Sequence, residues 1–99
     1  MPKIDILHPH TLPLDEAKQK VRALVEGVVQ DYPKLNISVD WNPSGLEAKA
    51  TGRMFKGRFL LDESRVTVNI DLSLLASPLT DRVTNKIRER LSDSFGKAG

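Results

Sequence analysis

The side chains of this chain that could do chemistry are few. His8 and His10, its only histidines, flank Pro9. Two imidazoles at that spacing invite a metal, but catalytic zinc takes three protein ligands and structural zinc four. No cysteine is present to give a thiolate, and Asp5 and Asp15 are the nearest carboxylates. The simpler reading is that both imidazoles fix a strand-to-helix corner by hydrogen bonds and packing. The carboxylate pairs Asp15-Glu16 and Asp62-Glu63 read as a helix first turn and a hairpin loop. No serine sits in a G-x-S-x-G elbow, and neither a phosphate loop nor a dinucleotide fingerprint occurs. No catalytic residue, metal or cofactor is therefore expected, and the residue types alone name no function beyond a small α+β domain.

Basic side chains supply the second constellation. Lys49, Arg53, Lys56 and Arg58 could line one face of a sheet and meet phosphate backbones. Asp40, Glu47 and Asp71 share that face, and aromatic rings for stacking bases are lacking there. A mixed, solvated surface is the first reading, and nucleic acid is not the expected partner. Arg82, Lys86 and Arg90 recur every four residues beside Glu89 and Asp93, the pattern of a salt-bridged helix flank. Trp41 alternates with Val39 and Ile37, which places it in the core or on its rim. His8, His10, Lys49, Lys56 and Arg58 are thus the candidate binding residues.

The elements that must position them follow from periodicity. Ile4 and Ile6 alternate with Lys3 and Asp5, a short strand from Lys3 to about His8 that Pro9 is expected to stop. Leu14, Ala17, Val21, Leu24, Val25, Val28 and Tyr32 form one apolar stripe, predicting a helix over 13–32 that Pro33 closes. Thr11 is the nearest side chain to cap it, and Glu16 and Lys20 make a favourable i,i+4 pair. Four alternating runs follow: 37–41, 46–51, 55–61 and 66–72, separated by Asn42-Pro43-Ser44-Gly45, Gly52 and Asp62-Glu63-Ser64. Ser77-Pro78 opens a second helix, whose apolar positions Leu79, Val83, Ile87, Leu91 and Phe95 recur every four residues; Gly96 ends it and 97–99 form a frayed tail.

These readings describe one α+β domain over residues 1–99: a two-layer sandwich in β-α-β-β-β-β-α order. The sheet is mostly antiparallel, with both helices on one face. The other face would show Asp40, Glu47, Lys49, Lys56, Arg58, Thr67, Asn69 and Asp71 to solvent. A sequence pI near 9.1 overstates the basic character, because fifteen Lys and Arg against thirteen Asp and Glu leave only +2. Residues 1–50 carry six basic and seven acidic side chains and residues 51–99 nine and six, too mild an asymmetry to imply a nucleic-acid domain. No apolar run reaches the roughly 20 residues of a membrane span. The start, Met1-Pro2-Lys3-Ile4-Asp5, lacks the apolar segment of a secretory leader. With no cysteine, a cytoplasmic setting is the expectation.

Several of these residues recur together in a known pattern. The stretch Ile6-Leu7-His8-Pro9-His10-Thr11-Leu12, then Asp15-Glu16-Ala17 and Val21, resembles the opening of the polyhydroxyalkanoic acid system protein family. Trp41, Gly52, Gly57, the run from Val66 to Leu72 with Leu74-Leu75 and Pro78, and Ile87-Arg88-Glu89-Arg90-Leu91 with Phe95 fit it as well. The resemblance covers essentially the whole chain. It implies a bacterial protein tied to polyhydroxyalkanoate granules or biosynthesis, with no assigned reaction and no active-site residues to carry over. It points to a non-catalytic accessory protein, cytoplasmic or granule-associated, that binds a granule surface, a granule protein or a hydroxyacyl-type ligand. On a polyester surface the second helix could swing out and lay its apolar stripe down. The alternatives are an RNA- or ribosome-associated module using the basic sheet face, and a homodimerising cytosolic adaptor.

Overall fold

Alternation of apolar and polar residues along five strands decides the architecture. The computed structural model describes residues 3–73 and 78–96. In chain order its elements are β1 (Lys3–Pro9), α1 (Leu14–Asp31), β2 (Ser38–Trp41), β3 (Glu47–Gly52), β4 (Phe55–Leu61), β5 (Arg65–Leu72) and α2 (Thr80–Phe95). The strands form one sheet in the order β1-β5-β4-β3-β2, with every neighbouring pair antiparallel. Thus the expected α+β order is observed. The capping role expected of Ser77, the leucines at 74 and 75 and the tail at 97–99 lie outside the described residues.

One face of this sheet carries the core. Ile4 and Ile6, Ala48 and Ala50, Phe55, Phe59 and Leu61, and Val66, Val68, Ile70 and Leu72 all point to it and are buried. Against them pack Ala17, Val21, Leu24, Val25 and Val28 of α1 and Val83, Ile87 and Leu91 of α2. Each of the larger side chains among them, valine, leucine, isoleucine or phenylalanine, contributes about 1.5–3 kcal/mol by leaving water. The two helices meet where Gly27 lets the Arg90 side chain lie across α1, since a Cβ there would collide with the guanidinium. Arg90 then closes a two-pronged bond on Asp31, both contacts 2.9 Å, of the strong planar kind.

Three local expectations are corrected. First, β1 does not stop at His8. Its ladder runs through Pro9, opposite Arg65, and on to a bond from His10 N–H to the Ser64 carbonyl at 2.9 Å. Because hydrogen-bonded pairs alternate in an antiparallel ladder, that bond puts the even residues of β1 toward β5. Pro9 therefore faces the free edge, where its missing donor costs nothing. Second, Thr11 does not cap α1: Pro13 holds the N-cap position without a side-chain bond, and Asp15 and Glu16 sit in the first turn instead. Third, Glu16 and Lys20 do not close to ion-pair distance.

The turns behave as their residue types demand. After α1 the chain makes a single 3-10 turn at Pro33–Leu35, with Leu35 buried and Asn36 left-handed at φ 49. Asn42 folds the β2–β3 connection by accepting from Ser44 N–H at 2.9 Å through Oδ1, a side-chain mimic of a backbone turn. Gly52, at the end of β3, lies beneath the 3-10 turn: a Cβ there would fall 2.5 Å from the Leu35 carbonyl oxygen. That carbonyl accepts from the adjacent Arg53 N–H, so the contact is backbone on backbone and has no flexible partner to yield. Gly52→Ala is expected to lower stability by about 1–3 kcal/mol in urea unfolding, whereas Thr51→Ala, on the exposed side of the same strand, should stay within about 0.5 kcal/mol.

Candidate functional site

Two of the five candidate binding residues lie inside the protein. His8, in β1, and His10, one residue past its end, have the same parity and so share the inner face, 5% and 6% exposed. His8 Nε2 is 2.8 Å from the Gly96 carbonyl, at the end of α2. His10 Nδ1 accepts from Leu12 N–H at 3.1 Å, which leaves its Nε2 to donate to the Asp62 carbonyl at 2.8 Å. The Phe95 ring packs on both imidazoles, its centroid 6.4 Å from His8 and 5.4 Å from His10. The pair thus joins three ends: the start of α1, the β4–β5 loop and the C-terminus of α2. Among the described residues no group of three His, Asp or Glu side chains is placed to hold a metal ion.

The β4–β5 loop that receives His10 is itself drawn tight by a carboxylate. Asp62 Oδ1 accepts from Ser64 N–H and Arg65 N–H, both at 2.8 Å, and from the Ser64 hydroxyl at 3.1 Å. Those bonds, led by the Ser64 amide, hold the Asp62 carboxyl below its ordinary value of 3.8. At the other end of the molecule, burial is the main cause that pushes the Tyr32 phenol above its ordinary value, and the negative charge of Asp31 adds to it.

The other three candidates come together on the opposite, open face of the sheet. Register does this: Lys49 stands directly across from Arg58, Thr51 from Lys56, Arg58 from Asn69 and Lys56 from Asp71. The six side chains rim an open concavity of about 360 Å³ whose floor includes Gly57. A side chain at Gly57 would point inward, within 3.1 Å of the Phe55 ring, so as at any inward position only backbone faces outward between Lys56 and Arg58, and the glycine itself serves the crowded inner side. Arg58 Nε pairs with Glu47 at 3.0 Å, a half-exposed contact of small net worth. Lys49 and Arg58 are like charges directly opposite, an arrangement that costs stability in the isolated sheet. Arg53 stands apart from this group, in the β3–β4 turn.

Alternation in the sequence had already placed Thr51, Asn69 and Asp71 on this face; which of these side chains stand opposite one another needed the register. Trp41 is on the helix side instead, half-buried at the rim, with the Arg22 guanidinium carbon 5.0 Å from its ring centroid. The middle of the α2 stripe expected to meet a surface is internal, with Val83, Ile87 and Leu91 each 0% exposed, while Leu79 and Phe95 at its ends are half-buried against the core. No helix of the described residues is long and apolar enough to cross a membrane.

Two measurements check this geometry. His10→Ala should cost about 2–5 kcal/mol of stability, because it empties a packed site and leaves backbone groups of Leu12 and Asp62 unpartnered. His10→Asn, which retains an acceptor near Leu12 N–H, should recover part of it. For Asp62 the lowered value means the loop bonds persist above the ordinary carboxylate range and are lost as pH falls through the folded value. The amide signals of Ser64 and Arg65 should therefore move together in an acid titration, with a midpoint below 3.8.

A family model described as "Putative polyhydroxyalkanoic acid system protein" matches residues 4–95. No curated protein and no solved structure matches the chain.

Proposed function

Because the chain belongs to the family of polyhydroxyalkanoic acid system proteins, we propose that it serves that system as a non-catalytic binding protein, working through the open face of its sheet. Its partner is an acidic segment of a granule protein. The observation that carries this reading is the gathering of Lys49, Lys56 and Arg58 around the bare backbone of Gly57. An extended or looped acidic segment could lie on that floor and place carboxylates between the opposed cations, relieving their repulsion.

The inner features argue for this face by being already engaged. His8 and His10 bond to backbone carbonyls in the core, and the α2 stripe packs on the sheet. Laying that stripe on polyester would expose Val83, Ile87 and Leu91 and break the Arg90–Asp31 bond. RNA is less well served, since Phe55 and Phe59 point into the core and Trp41 lies on the helix side. The protein acts in the cytoplasm, at granules, on this reading.

The test is co-sedimentation with isolated polyester granules at low salt. Wild type should partition with them and be released as salt rises, because the contact is electrostatic. Lys49→Glu with Lys56→Glu, both exposed changes, should weaken partition by about tenfold or more. Partition of wild type no greater than that of an inert basic protein of equal size would contradict the reading.

A further inference from the structure

The two edges of the sheet are treated differently by the sequence. On β1 the free backbone groups belong to odd residues, namely Lys3, Asp5, Leu7 and Pro9. Proline and charge at those positions are the usual protection against another strand. The β2 edge has no proline, lysine or bulge in Ser38-Val39-Asp40-Trp41. Here Asn42 N–H bonds to the Glu47 carbonyl at 2.9 Å, so in the alternating ladder Asp40 and Ser38 also bond inward to β3. Val39 and Trp41 must then direct their N–H and C=O groups outward, and Ile37 continues the same parity.

Side chains follow the same division. Ile37, Val39 and Trp41 lie on the helix side, half-buried, and with Val25 and Val29 of α1, rimmed by the exposed Glu26 and Gln30, they line a groove of about 350 Å³ along this edge. Ser38 and Asp40 lie on the open side, exposed.

We propose that β2 is a homodimer edge: it pairs antiparallel with β2 of a second copy, Val39 opposite Val39, and joins two sheets into one of ten strands. The register follows from the backbone. Outward-bonding residues must face outward-bonding residues, which leaves three two-fold arrangements centred near the strand. Centring between Val39 and Trp41 would oppose Asp40 to Asp40, a like-charge contact in the closer kind of pair. Centring between Ile37 and Val39 would leave Trp41 unpaired. Centring on Val39 pairs Ile37 with Trp41 of the second copy at both ends and sets Ser38 against Asp40, a donor against an acceptor. The apolar row then runs unbroken across the two-fold axis. This edge is self-complementary, as a two-fold interface requires, and it is independent of the open-face site.

Trp41 is the only tryptophan, so its fluorescence reports this edge directly. Sedimentation from about 1 µM to about 1 mM should show dimer increasing with concentration, with Trp41 emission moving to shorter wavelength in step. Ser38→Asp, at an exposed position, sets carboxylate against carboxylate twice and should weaken the dimer by about tenfold or more. Adding Asp40→Ser exchanges the two residue types, restores the donor–acceptor pairing and should return affinity to within about threefold of wild type. Circular dichroism confirms that each variant is folded. A wild type that stays monomeric throughout, or a dimer indifferent to Ser38→Asp, would overturn the proposal.

Discussion

One constraint governs this molecule: the sheet is covered on one side only. A chain of 99 residues has apolar alternates for a single inner face, and both helices must lie on it. The consequence is a division of labour that follows the parity of each strand. Phe55, Phe59, Val66, Val68 and Ile70 are withdrawn from water, and the residues between them are left to meet whatever approaches. A helix stripe is no exception. Val83, Ile87 and Leu91 complete the core, and α2 has no second apolar face to offer.

Seen this way, the polar groups in the interior are fastenings. The two imidazoles tie the ends of three elements through backbone carbonyls and a shared aromatic ring. The Arg90–Asp31 bond ties the helices together where Gly27 gives room for it. A buried histidine that accepts from one backbone amide and donates to a distant carbonyl specifies a corner, because one ring fixes both backbone groups at once. Fastening the C-terminus of α2 to β1, and its second half to α1, keeps the core face closed and leaves the opposite face as the accessible one.

Much of this was legible in the sequence. The alternation from Val66 to Leu72 and the stripe from Ala17 to Val28 are periodic enough to dictate their own burial, and the strand and helix order follows. Pro9 was less legible. A proline in a strand is informative only once it is known whether its nitrogen faces a neighbour or the edge, and that depends on pairing with Arg65, more than fifty residues away. The helix start was similarly obscured, since Thr11 has the right chemistry for a cap while Pro13 has the position. For the site, residue types named Lys49, Lys56 and Arg58, but only the β3–β4 register shows that Lys49 and Arg58 are opposite each other. No local property of the sequence encodes that adjacency.

The most direct test of the account is lysine acetylation of the folded protein, alone and bound to isolated granules, read residue by residue by mass spectrometry. Lys49 and Lys56 project from the open face, whereas Lys20 and Lys34 belong to the helical side. Binding through the open face should protect Lys49 and Lys56 and leave Lys20 and Lys34 as reactive as before. Protection of the helical-side lysines with Lys49 and Lys56 unchanged would contradict the assignment of the sheet's open face as the working surface.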